Sequence, residues 1–129
     1  MRTPKPVAIT PASTKESSAS EGVVLVVTIP CHNEEATIKE VVDSIPRKIK
    51  GVSVVIPLVI DDGSTDRTAT RAVEAGALVI SNSKRQGLAY TFRRGLETAL
   101  RLDAEIIVNT DGDNQYDQSQ IPALIAPIL

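Results

Sequence analysis

Cysteine is almost missing from this chain: Cys31 stands alone, which excludes an intrachain disulfide and a cysteine-based zinc site. Tryptophan is absent and aromatic residues make up 2%, namely Tyr90, Phe92 and Tyr116. The core must therefore be built from Val, Ile, Leu and Ala, and few rings remain to stack on a sugar. Basic residues are not in excess either. Lys and Arg number 14 against 16 Asp and Glu, for a formal net charge of −2. A nucleic-acid-binding surface would show a basic stripe instead, so no nucleic-acid partner is expected. No apolar run approaches the roughly 20 residues that span a bilayer, and the N-terminus lacks the apolar core of a secretion signal. A soluble, cytoplasmic protein is the expectation. With 129 residues, 42% of them hydrophobic, the chain suits one domain and is short for two.

What is present falls into two parts. Residues 1–22 carry Pro4, Pro6, Pro11 and the run Ser17-Ser18-Ala19-Ser20. Such a composition buries too little apolar surface to offset ordering entropy, which predicts a disordered tail. From Val23 the pattern changes. Val23-Val24-Leu25-Val26-Val27-Thr28-Ile29 reads as a strand buried on both faces, stopped by Pro30. Ile38, Val41, Val42 and Ile45 trace one helical face, ended by Pro46. Leu58-Val59-Ile60 is a second strand, with Pro57 marking where regular pairing begins. A turn at Asp62-Gly63-Ser64-Thr65-Asp66 offers Ser64 or Asp66 as N-cap of a helix through Glu74, terminated by Gly76. Leu78-Val79-Ile80 makes a third strand. Leu88, Phe92, Leu96, Ala99 and Leu100 then mark the apolar face of a third helix. Ile106-Ile107-Val108 is the fourth strand, and a last helix over 118–129 tolerates Pro122 in its first turn.

Strand and helix alternate four times, which predicts an α/β fold with a parallel sheet covered on both faces. Open sheets of this kind bind ligands at the carboxyl ends of their strands. Three polar clusters stand at such ends: Cys31-His32-Asn33-Glu34, Asp61-Asp62-Gly63-Ser64 and Asp111-Gly112-Asp113. In the last, Asp111, Asp113 and Gln115 alternate, and side chains two apart in an extended chain project to the same side. Magnesium characteristically takes one or two carboxylates plus substrate phosphates, so the pattern points to a metal-bound phosphate ligand. A calcium-binding EF-hand loop also begins with Asp-x-Asp. It requires Gly sixth and Glu twelfth, where this chain has Tyr116 and Pro122.

Taken together these motifs resemble the family 2 glycosyltransferases, the GT-A group that includes dolichol-phosphate mannosyltransferases and polyprenyl-phosphate glucosyltransferases. The resemblance rests on Ile29-Pro30-Cys31-His32-Asn33-Glu34-Glu35, Val59-Ile60-Asp61-Asp62-Gly63-Ser64-Thr65-Asp66, Gly87-Leu88-Ala89, Arg94-Gly95-Leu96 with Ala99, and Asp111-Gly112-Asp113-Asn114-Gln115. It runs from Val23 to Leu129 and implies a GT-A, Rossmann-like fold.

The resemblance also implies roles. Pro30, His32 and Glu34 would lie against the nucleotide, although an aromatic ring often stands where this chain has His32. Asp61 and Asp62, following Ile60, would contact base and ribose. Asp111, Gly112 and Asp113 would face the ribose-diphosphate, with Asp111, Asp113 and Gln115 holding Mg²⁺ or Mn²⁺. Lys84 or Arg85 could neutralise the diphosphate, or both could be solvated loop charges. Asp66 serves better as an N-cap than as a ligand, and Cys31 as a buried filler. The implied donor is a UDP- or GDP-sugar, and the implied acceptor a polyprenyl phosphate attacked with inversion. A domain of this kind is expected to extend about a hundred residues further, within usual domain sizes. The acceptor half, any catalytic base and any membrane anchor would then lie beyond Leu129. The chain alone is not expected to turn over, and the enzyme would work in the cytoplasm or at the cytoplasmic face of a membrane.

Two rival classes remain in view. A dinucleotide-dependent oxidoreductase needs G-x-G-x-x-G after the first strand, where this chain has Pro30-Cys31-His32-Asn33-Glu34-Glu35. A non-catalytic nucleotide-sugar-binding or partner-binding module fits the same motifs and is distinguished by binding without transfer.

Overall fold

A computed structural model describes residues 7–9 and 22–129. Its order is β1 (Val7–Ile9), β2 (Val23–Cys31), α1 (Ile38–Ser44), β3 (Val52–Asp62), α2 (Thr68–Glu74), β4 (Leu78–Asn82), α3 (Leu88–Arg101), β5 (Ile106–Asn109) and α4 (Ile121–Ile125). A 3-10 turn flanks α4 on each side. The five strands form one sheet in the order β1-β5-β2-β3-β4. All neighbours are parallel except β1, which runs antiparallel to β5.

β2 is the apolar run expected of a central strand, and its residues from Leu25 to Cys31 are all buried. Alternation of side chains sends them to two cores. Leu25, Val27 and Ile29 meet α1, α2 and α4 through Ile38, Val41, Val42, Ala72, Ile121 and Ile125. Val26 joins Leu58, Ile60, Ala99 and Ile107 on the opposite face, beneath α3. Full burial of such aliphatic side chains is worth about 1.5–3 kcal/mol each, and this removal of apolar surface from water holds the helices to both faces.

Three local expectations change. The second strand begins at Val52 rather than at Leu58, because β2 pairs with it back to Val52. Pairing with β4 does start at Leu58, so Pro57 marks where β3 becomes hydrogen-bonded on both sides. On α3 the buried stripe is Thr91, Gly95 and Ala99, while Leu88 and Leu100 are 69% and 51% exposed. The helix lies too close to the sheet for larger groups: a Cβ on Gly95 would come within 2.9 Å of Ile60 Cδ1. Within the tail expected over residues 1–22, Val7–Ile9 pairs with Asn109, Val108 and Ile107, using the otherwise free edge of β5. The rest of that tail, apart from Gly22, lies outside the described residues. Among the described residues no helix is long and apolar enough to cross a membrane.

The topology places the site. From β2 the chain moves outward through β3 to β4, with α1 and α2 on one face. It then returns through α3, on the other face, to β5 on the far side of β2. The winding direction therefore switches between β2 and β5, and at such a switch the loops diverge and open a crevice.

Candidate functional site

The crevice is present as a cleft of about 260 Å³ at the carboxyl ends of the strands. Pro30, Cys31, His32 and Glu34 line it from β2, Asp62 from β3, and Asp111, Gly112 and Asp113 from β5. Arg85, Leu88 and Thr91 complete the wall from the loop after β4 and the first turns of α3.

The loops after β2 and β3 are stitched together by reciprocal hydrogen bonds. Asn33, held at φ 52°, donates its N–H to Ser64 Oγ at 2.9 Å and accepts the Thr65 N–H on Oδ1 at 2.9 Å. Glu34 N–H donates to Thr68 Oγ1 at 2.8 Å, and Glu35 N–H to Asp66 at 3.3 Å. His32 Nδ1 lies 2.8 Å from the carbonyl of Asp62; because a carbonyl only accepts, Nδ1 carries the hydrogen. Its Nε2 meets the Asn33 amide nitrogen at 3.3 Å, so both ring nitrogens are engaged. The N-cap of α2 is Arg67, without a side-chain cap, rather than Ser64 or Asp66; Asp66, one residue earlier, accepts the Thr68 N–H at 2.9 Å as well as its hydroxyl.

The acidic loop after β5 is held from three sides. Thr110 N–H donates to Thr28 O at 3.0 Å, and the buried Gln118 amide donates to Thr110 Oγ1 at 3.0 Å. The Thr37 hydroxyl donates to Gly112 O at 2.6 Å. Gly112 itself rests on Cys31, whose Sγ would lie 2.5 Å from an added Cβ. That contact explains why glycine separates the two acids.

Electrostatically this end of the cleft is negative. Burial, then Asp113, pushes the Asp111 carboxyl above its ordinary value. Glu34 is raised by burial and then by Asp113, Asp111 and Asp66. Burial drives the Cys31 thiol well upward, assisted by Glu34, Asp61, Asp111 and Asp113, which makes it a filler rather than a nucleophile. Carboxylates that repel one another suit a cation between them. Among the described residues no group of three or more His, Cys, Asp or Glu could hold a metal. The Asp111–Asp113 pair therefore fits an ion that draws its remaining oxygens from a bound phosphate ligand.

Asp62 differs from the other acids. Burial disfavours its charge, but hydrogen bonds from Gln86 N–H, the Asn82 amide, Gly87 N–H and Thr91 outweigh that and hold its carboxyl below the ordinary 3.8. Its Oδ1 accepts from Gln86 N–H at 2.7 Å and Asn82 Nδ2 at 2.9 Å, and its Oδ2 from Gly87 N–H at 3.0 Å.

Of the residues anticipated from sequence, Pro30, His32, Glu34, Asp62, Asp111, Gly112 and Asp113 come together at the cleft. The structure does not bring Ile60, Asp61, Lys84 or Gln115 to its wall. Ile60 is fully buried beneath α3. Asp61 accepts from Ser64 N–H at 3.1 Å and Ser81 Oγ at 3.4 Å. Lys84 packs its backbone on Gly63, and the Gln115 side chain is exposed. Arg85, rather than Lys84, supplies the cation at the wall. Leu88 and Thr91 were not anticipated. Their signal in the sequence is position alone, in the first turns of the helix following Gly87.

A model of the family described as "Glycosyl transferase family 2" matches residues 26–129. Protein RfbJ of Shigella flexneri is 37% identical over 105 residues, covering 81% of this chain and 76% of the relative. Glucosyl-3-phosphoglycerate synthase of Mycobacterium tuberculosis (H37Rv) is 34% identical over 119 residues, covering 87% of this chain and 36% of the synthase. A crystal structure of the M. tuberculosis synthase with Mn²⁺, UDP-glucose and phosphoglyceric acid superposes with a TM-score of 0.70 at 30% identity. It covers 92% of this chain and 45% of that one. The chain thus spans about three quarters of RfbJ but less than half of the synthase. The chain belongs to glycosyl transferase family 2, and its α/β sheet is the GT-A, Rossmann-like fold.

Proposed function

We propose that this family 2 chain binds the nucleoside diphosphate of a nucleotide-sugar donor in the cleft between β2 and β5, and so forms the donor side of a cytoplasmic glycosyltransferase. The observation that carries the reading is the pair Asp111 and Asp113 at the topological switch, sharing one cleft with Arg85. Pro30, His32 and Glu34 form the nucleotide wall. Arg85 faces the diphosphate. Asp111 and Asp113 hold Mg²⁺ or Mn²⁺, with Gln115 close by in sequence. A cation bound there acts as a Lewis acid toward the charge that develops on the leaving diphosphate. The neighbouring synthase, solved with Mn²⁺ and UDP-glucose, supports a uridine nucleotide and Mn²⁺ as first choices.

The acceptor in this proposal carries a phosphate. The resemblance to polyprenyl-phosphate glycosyltransferases suggests a polyprenyl phosphate, whose anionic oxygen would attack without a general base and invert the anomeric centre. The name of the synthase favours phosphoglycerate. Offering each acceptor with the matching donor separates the two.

Calorimetric titration of UDP-glucose and GDP-mannose, with Mn²⁺ and with EDTA, tests the donor site on the wild type and on Asp113→Ala. Loss of one of two protein carboxylates should weaken metal-dependent binding by roughly tenfold or more, since even outer-shell changes cost about 10–100-fold in metal affinity. Binding indifferent to EDTA and to Asp113→Ala would overturn the site. Metal-dependent binding with neither transfer nor sugar-nucleotide hydrolysis would make the chain a binding module instead.

A further inference from the structure

Arg85 lines the cleft from loop 83–87, and that loop is held by a polar chain whose near members, Asp62 and Thr91, also line the cleft, while the buried Asn82 does not. Asn82 ends β4, is 7% exposed and has every amide group engaged. Its Nδ2 donates to Asp62 Oδ1 at 2.9 Å and to Thr91 Oγ1 at 3.1 Å. Its Oδ1 accepts from Arg94 Nη1 at 2.7 Å, and the same guanidinium nitrogen donates to Ser81 O at 2.6 Å. Turning the amide over would set its oxygen against the Asp62 carboxylate and its nitrogen against Arg94, so one orientation is specified. Asp62, thus oriented, accepts the N–H groups of Gln86 and Gly87, directly after Arg85. Below, Gly63 leaves no room for the loop to sink: a Cβ there would stand 2.5 Å from Arg85 N.

We propose that Asn82 is a positioning residue of the donor cleft: it orients Asp62, which fixes loop 83–87 and keeps the Arg85 guanidinium at the cleft wall. The inference rests on the donor-binding reading above and deepens it. Preference for a nucleoside diphosphate over the bare nucleoside depends on a buried amide that contacts neither. A fixed guanidinium meets phosphate oxygens with charge-assisted hydrogen bonds, whereas a mobile one spends its binding energy on being ordered.

The test follows UDP, GDP and uridine by NMR titration with Mg²⁺ on the 129-residue chain, and amide exchange of Gln86 and Gly87 on the same samples. Arg85→Ala should weaken UDP about tenfold or more, the range of a hydrogen bond to a charged group. Asn82→Ala should approach that loss while uridine stays within about twofold, and the double variant should be no worse than Arg85→Ala, the signature of two residues acting through one contact. Exchange at Gln86 and Gly87 should quicken in Asn82→Ala and stay unchanged in Arg101→Ala. Arg94→Ala removes only the outer clamp and should show a weaker form of the same pattern if Asn82→Ala folds poorly. Parallel losses for UDP and uridine, multiplicative losses in the double variant, or unaltered exchange would each overturn the proposal. A wild type that binds neither UDP nor GDP would sink the donor reading itself; amide exchange then still judges the brace, and unaltered exchange rejects it.

Discussion

Replacing Gly112 by alanine probes the contact that seats the acidic loop. The backbone at Gly112 is not in the left-handed region, so alanine meets no conformational penalty and the effect is one of space. The new Cβ would lie 2.5 Å from Cys31 Sγ and 3.5 Å from Glu34 Cγ, where ordinary contact starts at 3.4 Å. Cys31 is a short side chain, 3% exposed, in the core at the end of β2. It cannot swing aside as the end of a lysine would. The loop must therefore lift by nearly an ångström, or the core must open, and overpacking of that kind costs about 1–3 kcal/mol. For a chain of this size, thermal melting should fall by roughly 3–5 °C per kcal/mol, between the sensitivities of smaller and larger domains. The lift also carries Asp111 and Asp113 with it, so Mn²⁺ affinity should drop together with stability. Cys31→Ala supplies the control because it removes the obstructing sulfur. The double variant should recover about 1 kcal/mol or more relative to the sum of the single changes, a coupling typical of residues in contact. Additive losses, or an alanine at 112 with unchanged melting and metal binding, would refute the reasoning.

Two further outcomes follow from the geometry. Asp62→Asn should destabilise the chain at neutral pH by about 1–3 kcal/mol, the cost of leaving buried donors without an acceptor. Because the Asp62 carboxyl is held below 3.8, its contribution is present above that pH and is lost as pH falls through the folded value; urea denaturation from pH 5 to 2.5 should therefore show a shallower acid decline in the variant, and an identical decline would contradict the assignment. On α3, Gly95→Leu should destabilise by about 1–3 kcal/mol despite better helix propensity, since its Cβ alone meets Ile60 Cδ1 at 2.9 Å. Gly95→Ala should fall near neutrality because the helix gain offsets the smaller clash, and denaturation midpoints that rank the leucine variant above the alanine variant would reject the close approach.

The strand ends were legible from sequence because each acidic or polar cluster follows an apolar run, and the alternation of strands and helices places those ends together. What escaped depended on partners distant along the chain. Leu88 and Leu100 looked like the inner face of α3, yet the helix packs through Thr91, Gly95 and Ala99. Close approach to the sheet selects small side chains, and a reading that weighs hydrophobicity favours large ones. Lys84 and Arg85 are equivalent locally; the Gly63 contact and the Asp62 hydrogen bonds orient the loop so that the second of them reaches the cleft. The pair Asp61 and Asp62 makes the same point most sharply. As consecutive strand residues they project to opposite sides of the sheet, and they lie opposite Ser81 and Asn82 of β4. Asp61 accordingly engages Ser81 and the turn at Ser64, while Asp62 engages Asn82 and the loop after it. Two identical acids side by side thus take different work from the strand beside them, and only Asp62 governs the loop that carries the cleft's arginine.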